Sequence, residues 1–140
     1  MHPHYLREAI ATTPRVAVYG TLKQGFNNAY WLNGATLLGS DVTKALTLYD
    51  IGPYPGAKWQ RSKGVTIEVY QISIDHLAQL DRLEDYRIDA PSEGEYDRQQ
   101  ITTCFGLAWV YLYNPSVTGK TAIYEGGWRM PNISNVQQRR

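Results

Sequence analysis

Two stretches of the chain carry residue types able to do chemistry. The first is Val16-Ala17-Val18-Tyr19-Gly20-Thr21-Leu22-Lys23. An apolar run enters a tyrosine and a glycine and leaves through a hydroxyl and a cation. A strand that exits its sheet through a glycine turn exposes successive backbone N–H groups, and such a row can hold an anion. A plain strand-to-helix turn reads the same way, so this stretch does not decide alone.

The second is Glu84, near the end of the segment 75–86, DHLAQLDRLEDY. Leu77 and Leu80, with Leu83 on the flank, recur at helical spacing. At about 100° per residue, Glu84 projects between the directions of Leu77 and Leu80, from the core face. Asp81 and Asp85 fall at the edge of that stripe, and Arg82 points away. The negative end of the helix dipole disfavours a carboxylate there, and so does partial burial. Both effects raise the pKa toward a value suited to a general acid or base near neutral pH.

The elements that must position these groups follow from period and punctuation. Residues 15–19 read as a strand. FNNAYWLNGA, 26–35, reads as a short helix capped by Asn27 or Asn28 and ended by Gly34. The runs 35–43, 44–52 and 65–73 alternate as strands. The stretch 52–64, rich in proline and glycine, and 87–97 read as loops. Asp75 is the expected N-cap of helix 75–86. Residues 98–105 and 107–114 form two strands of a hairpin around Gly106. One turn of helix is expected after Gly119. The sum is an α+β domain: a small, mixed, mostly antiparallel curved sheet or partly closed β-barrel flanked by short helices. Residues 1–14 read as a loosely ordered leader, 15–130 as a single domain, and 131–140 as a polar mobile tail.

Composition excludes several classes. The 140 residues carry 14 basic and 13 acidic side chains, a net charge of +1. Nothing in that balance calls for nucleic acid or an anionic membrane as partner. The longest apolar stretch, 107–113, is far too short to span a bilayer. No targeting segment is visible, and the one cysteine, Cys104, fits a reducing, cytoplasmic setting. Eleven Tyr and four Trp against two Phe suit a pocket that is apolar yet offers hydrogen bonds. His2 and His4 form a pair in the leader without a carboxylate or cysteine nearby in sequence, so no metal site is expected. His76 is expected to face solvent.

Taken together these motifs resemble the gamma-glutamylcyclotransferase-like family. Tyr19-Gly20-Thr21-Leu22 matches the motif after the first strand. An asparagine segment (FNNAYWL) and a Tyr-Pro loop (GPYPGA) follow, then Glu68-Val69-Tyr70 on a strand. Leu80-Asp81-x-x-Glu84, Tyr96-x-Arg98, a strand like AWVYLY and a closing EGGW complete the order, over about 15–130. The sequence departs from the family at Ile67, where glycine is usual, and at Asp85, where glycine often follows the glutamate. A charge at Asp85 is expected to raise the Glu84 pKa further.

The resemblance implies a gamma-glutamyl cyclotransferase: a γ-glutamyl amide closes on itself, giving 5-oxoproline and a free amine or amino acid. It implies no metal and no organic cofactor. Glu84 would be the general acid and base. The substrate-binding candidates are Tyr19, Gly20, Thr21, Leu22, Tyr111, Tyr96 and Arg98. The Gly20–Leu22 backbone would hold the glutamyl carboxylate and the oxyanion, Tyr19 would form a wall, and Tyr111 would offer its hydroxyl. Tyr96 and Arg98 would position the loop over the site, and Lys23 is read as facing water. The partner is a small γ-glutamyl molecule. Glutathione, γ-glutamyl amino acids, γ-glutamyl-ε-lysine and other metabolites all stay open, as does the oligomeric state. Leaving-group specificity should sit in loops 52–64 and 87–97. A second reading keeps the pocket as a binding or sequestering module without turnover.

Overall fold

The computed structural model describes residues 2–20, 22–23 and 29–128. A six-stranded mixed sheet forms the centre, in the order β2 (Thr36–Thr43), β5 (Gly64–Gln71), β1 (Arg15–Val18), β7 (Gly106–Tyr113), β6 (Tyr96–Thr103), with β9 (Glu125–Gly126) added on β5. A three-stranded sheet of β4 (Pro55–Trp59), β3 (Leu46–Asp50) and β8 (Thr121–Ile123) lies beside it. Pairing is antiparallel except for β1 with β7 and β5 with β9. The strands divide between two sheets and do not close into one barrel.

β1 explains the layering. Successive side chains on a strand point to opposite faces. Val16 and Val18 enter a core with Leu6, Leu77 and Leu80 of the helices. Ala17 and Tyr19 enter a second core with Leu46, Leu48 and Ala57 of the small sheet. A strand buried on both faces reads as a continuous apolar run, and Val16-Ala17-Val18 is one. The chain leaves this central strand at Tyr19-Gly20, between the two cores.

Several expectations change. Residues 4–12, read as a loose leader, form helix α1 (His4–Thr12), whose Leu6 is buried against the helix-side core. Leu6 and Ile10 are four residues apart, so they share one helix face. The proline-rich loop contains strand β4. Pro55 stands first in that strand, the position where a missing N–H is tolerated. Of the tail after Gly119, where one turn of helix is expected, the described residues form strands β8 and β9, and the rest lies outside the described residues. In the described part of the helix expected over 26–35 there is a 3-10 turn, Ala29–Leu32, followed by Gly34 at φ 89°. Asn27 and Asn28 lie outside the described residues, as does the tail from 129 onward.

Helix α2 spans Ile74–Leu83, and its N-cap is Ser73, not Asp75. The Ser73 hydroxyl accepts the His76 N–H at 3.3 Å, and His76 Nδ1 accepts the Ser73 N–H at 3.1 Å. His76 Nε2 then donates to the Asn33 carbonyl at 2.8 Å, so this ring bridges two elements rather than facing solvent alone. The helix stops early because Asp85 takes a left-handed conformation, φ 57°. The Tyr86 N–H reaches the Asp81 carbonyl at 2.8 Å and the Asp85 N–H reaches Arg82 at 3.2 Å. These two bonds satisfy carbonyls that a helix end otherwise leaves orphaned.

Candidate active site

A cavity of about 160 Å³ opens where β1 ends, lined by Ala17, Val18, Tyr19, Gly20, Leu22, Tyr54, Pro55, Leu83, Glu84, Glu95, Tyr96 and Tyr111. A void of that order holds a benzene-sized group. The glycine turn and the helix-end glutamate, far apart in sequence, meet here.

Glu84 is the C-cap of α2, with φ −89° and ψ 2°. Its N–H still donates to Leu80 at 2.9 Å, so its direction is set by the helix. Its carboxyl makes no hydrogen bond with any described residue and is turned into the cavity. Burial first, and then the neighbouring Glu95 carboxylate, push it up to about 8. The further increase expected from Asp85 is not the cause. Asp85 accepts from Arg87 at 3.3 and 3.4 Å and from the Glu95 N–H at 3.1 Å, and these bonds hold its own carboxyl below the usual range.

Glu95 is a second carboxylate in the cavity that the sequence reading did not single out. Its Oε2 accepts the Tyr54 hydroxyl at 2.6 Å, and that bond, followed by burial, pushes the Tyr54 phenol up to about 12. Both residues had a signal in the sequence. Tyr54 is the tyrosine of the Tyr-Pro loop, and Glu95 directly precedes Tyr96 of the Tyr-x-Arg motif.

The glycine turn is partly in view. Tyr19 is a wall of the cavity, and its hydroxyl is committed to the backbone. It donates to the Tyr111 carbonyl at 2.6 Å and accepts the Ala57 N–H at 3.2 Å. Burial, then the Glu84 charge, push this phenol well above its ordinary range. Gly20 has an ordinary φ, and its missing side chain makes room for a proline: a Cβ there would lie 2.7 Å from the Pro55 ring. Leu22 lines the cavity and is buried. Thr21 lies outside the described residues. Lys23 does not face water. It is 7% exposed, and burial lowers its ammonium pKa while Glu68 acts against that. The Lys23 N–H closes the turn on the Gly20 carbonyl at 3.0 Å.

Two of the expected binding residues act elsewhere. The Tyr111 ring lines the cavity, but its hydroxyl donates to Asp81 Oδ1 at 2.7 Å and is not offered inward. Arg98 is not in the lining. It forks onto Asp81, Nε to Oδ1 at 2.7 Å and Nη2 to Oδ2 at 3.0 Å. Its guanidinium lies between the rings of Tyr86 (4.6 Å) and Trp109 (4.5 Å). This buried group joins α2, β6 and β7. Burial raises the Asp81 carboxyl pKa, against the pull of Arg98 and Tyr111. Tyr96 does line the cavity. Its hydroxyl donates to the Pro55 carbonyl at 2.9 Å, and its ring meets Tyr113 edge-on at 5.4 Å.

The arrangement can bind a small polar molecule among tyrosine rings and present to it one carboxyl able to exchange a proton near neutral pH. Among the described residues no group of three or more His, Cys, Asp and Glu is placed to hold a metal ion. His2 contacts Asp75 at 2.6 Å, and His4 pairs with Glu8 at 3.3 Å. No helix among the described residues is long and apolar enough to cross a membrane.

The chain is similar to a family and to several known proteins. The family model "Gamma-glutamyl cyclotransferase, AIG2-like" matches residues 16–130. The "Gamma-glutamylcyclotransferase family protein YtfP" of Escherichia coli strain K12 is 40% identical over 114 residues, covering 81% of this chain and 95% of that protein. The "Gamma-L-glutamyl-butirosin B gamma-glutamyl cyclotransferase" of Niallia circulans is 36% identical over 106 residues, covering 72% of this chain and 67% of that one. Among solved structures, the solution NMR structure of protein ytfP from Escherichia coli superposes with a TM-score of 0.62 at 41% identity, covering 81% and 95% of the two chains.

Proposed function

The chain belongs to the gamma-glutamyl cyclotransferase, AIG2-like family, and from that premise we propose that it cyclises a small γ-glutamyl amide to 5-oxoproline and a free amine, with Glu84 as general acid and base. Residues 15–130 form the catalytic domain on this reading, in a cytoplasmic setting. The α-amine of the substrate attacks its own γ-carbonyl. A new C–N bond forms, the amide C–N bond breaks, and the electron pair leaves with the departing amine. Glu84 takes the proton that the α-ammonium must lose before attack and returns it to the leaving nitrogen, and the second proton that the attacking nitrogen sheds on becoming the lactam N–H also ends on the departing amine, which leaves as an ammonium. No external nucleophile enters the balance.

The Gly20–Leu22 backbone, Thr21 included, is the proposed cradle for the glutamyl carboxylate and the developing oxyanion. The Tyr19, Tyr96 and Tyr111 rings shape the cavity around the folded glutamyl chain. Arg98 serves through Asp81, as a positioning residue. Holding amine and carbonyl in contact can contribute roughly 7–11 kcal/mol to such an intramolecular step.

The observation that supports this reading most is the Glu84 carboxyl, free of hydrogen bonds to described residues inside the cavity and held up to about 8. A panel of γ-glutamyl amides assayed for released 5-oxoproline, alongside thermal-shift binding, tests it. Release on at least one member is expected. Binding without product on every member would leave a sequestering module in its place.

A further inference from the structure

The cavity presents a second carboxyl beyond the one the reaction needs. Glu84 and Glu95 both line it, and no lysine, arginine or histidine is among its described lining residues. Neighbouring cations are engaged elsewhere. Arg98 is paired with Asp81 and Arg87 with Asp85. Lys58 donates to the carbonyls of Tyr113, Asn114 and Pro115 at 2.7, 3.2 and 2.8 Å. Removing a carboxylate from water without a counter-charge is costly. A cationic ligand would supply that counter-charge, and the enclosed Glu84 carboxyl, without a hydrogen-bond partner among described residues, is turned toward the same space.

Glu95 is also held in place. The Tyr54 hydroxyl donates to its Oε2 at 2.6 Å, and Asp85 accepts its N–H at 3.1 Å. The Tyr54–Glu95 bond links the two loop segments that flank the cavity, one before β4 and one before β6. The glutamyl half of a γ-glutamyl amide carries one ammonium and one carboxylate, and so brings no net charge. Its ammonium must lose a proton before it attacks. A second carboxylate pressed on that nitrogen would favour the charged form and oppose the step. A braced carboxylate is better matched to a cation across the scissile bond.

We propose that Glu95, braced by Tyr54 and Asp85, forms the leaving-group subsite and selects γ-glutamyl amides whose departing amine carries a second positive charge. This rests on the cyclotransferase reading above and adds the class of leaving group.

The test is a pair of substrates matched in length and shape: the γ-glutamyl amide of 1,4-diaminobutane, which ends in an ammonium, and that of n-pentylamine, which ends in a methyl. The parent should show kcat/KM at least about tenfold higher for the diamine amide, which is about 1.4 kcal/mol. The preference should fall as salt rises, a measurement that needs no variant. Glu95→Gln keeps an acceptor for Tyr54 and should bring the ratio near one, chiefly through KM. Tyr54→Phe, which frees the carboxylate, should reduce it in part. Equal kcat/KM for the two amides in the parent would overturn the proposal. So would a Glu95→Gln variant that keeps the ratio, or one that slows both amides equally. Should the parent release 5-oxoproline from no member of the γ-glutamyl panel, these two amides included, the cyclotransferase reading fails instead. Calorimetric Kd values for the same two amides then decide the subsite: tighter diamine binding lost in Glu95→Gln supports it, and equal binding in the parent sinks it.

Discussion

The backbone N–H of Glu95 donates to the Asp85 carboxylate at 3.1 Å. This bond closes the loop that leaves α2 and returns at β6, and it fixes the spacing of the two cavity carboxylates. Asp85 does this from a left-handed conformation, φ 57°. Aspartate tolerates that conformation better than most residues. An aspartate at this position thus allows the chain reversal and adds a clasp on the segment that leads into β6.

Glu84→Gln should retain the fold and lose most turnover. Loss of general acid–base help of this kind amounts to about 10²- to 10⁴-fold. Steady-state release of 5-oxoproline and a melting curve check the two halves separately. A variant that works at the parent's rate would remove Glu84 from the chemistry.

The pH dependence of stability has a defined direction. The folded Glu84 carboxyl, held at about 8 against an ordinary 4.5, keeps a proton that the unfolded chain has lost between those values. Its contribution to stability is complete below about pH 4.5 and is lost as pH rises toward 8. Urea midpoints from pH 5 to 8.5 should therefore fall relative to those of Glu84→Gln. A flat difference between the two proteins would contradict the burial of this group.

The same group should shape the rate profile. If the ionised form accepts the ammonium proton, kcat/KM rises with pH through an apparent value near 8. Glu95→Gln removes a like charge from beside Glu84 and should move that limb to lower pH. An unmoved limb would mean that burial alone sets the Glu84 value.

Asp81→Asn should be costly even though Asp81 is outside the cavity lining. It strips the Arg98 guanidinium of its buried counter-charge and the Tyr111 hydroxyl of a charged acceptor. Breaking a buried pair from one side costs about 3–5 kcal/mol. Chemical denaturation reads this directly, and a loss below about 1 kcal/mol would mark the pair as solvated.

Gly94→Ala should disturb the site from a distance. A Cβ at Gly94 would fall 1.9 Å from the Asp85 carbonyl oxygen, which is backbone and cannot swing away. The loop must shift, and Glu95 with it. A loss of about 2 kcal/mol or more is expected, together with a weakened preference for the diamine amide. Unchanged values of both would show that the loop relaxes freely.

Local features were the legible ones. Leu77 and Leu80 at helical spacing announced α2 and the inward direction of Glu84, because a helix fixes direction by count. Alternation and glycine punctuation announced the hairpin at Gly106. The errors share a cause. α1 was missed because its apolar face is narrow and gains its stability from packing against α2 and the sheet. β4 was missed because Pro55 looked like a breaker, yet the first position of a strand needs no N–H. Arg98, expected to hold the loop over the site among the binding residues, instead forks onto Asp81 of α2, since a cation in a motif carries no sign of the partner it will meet.

What the amino-acid sequence determined by itself is the family, the strands β1, β5, β6 and β7 with helix α2, and the core-side position of Glu84 at the end of that helix, all set by spacing along the chain. Which groups share the cavity was decided only by tertiary structure. Glu84 and Glu95 meet because the loop after α2 folds back through the left-handed turn at Asp85. Tyr111 turns its hydroxyl from the cavity because Asp81, on another element, is within reach. A pKa near 8 is likewise a property of enclosure: it comes from the water a carboxyl has lost and the charge placed beside it, and both depend on neighbours distant in sequence.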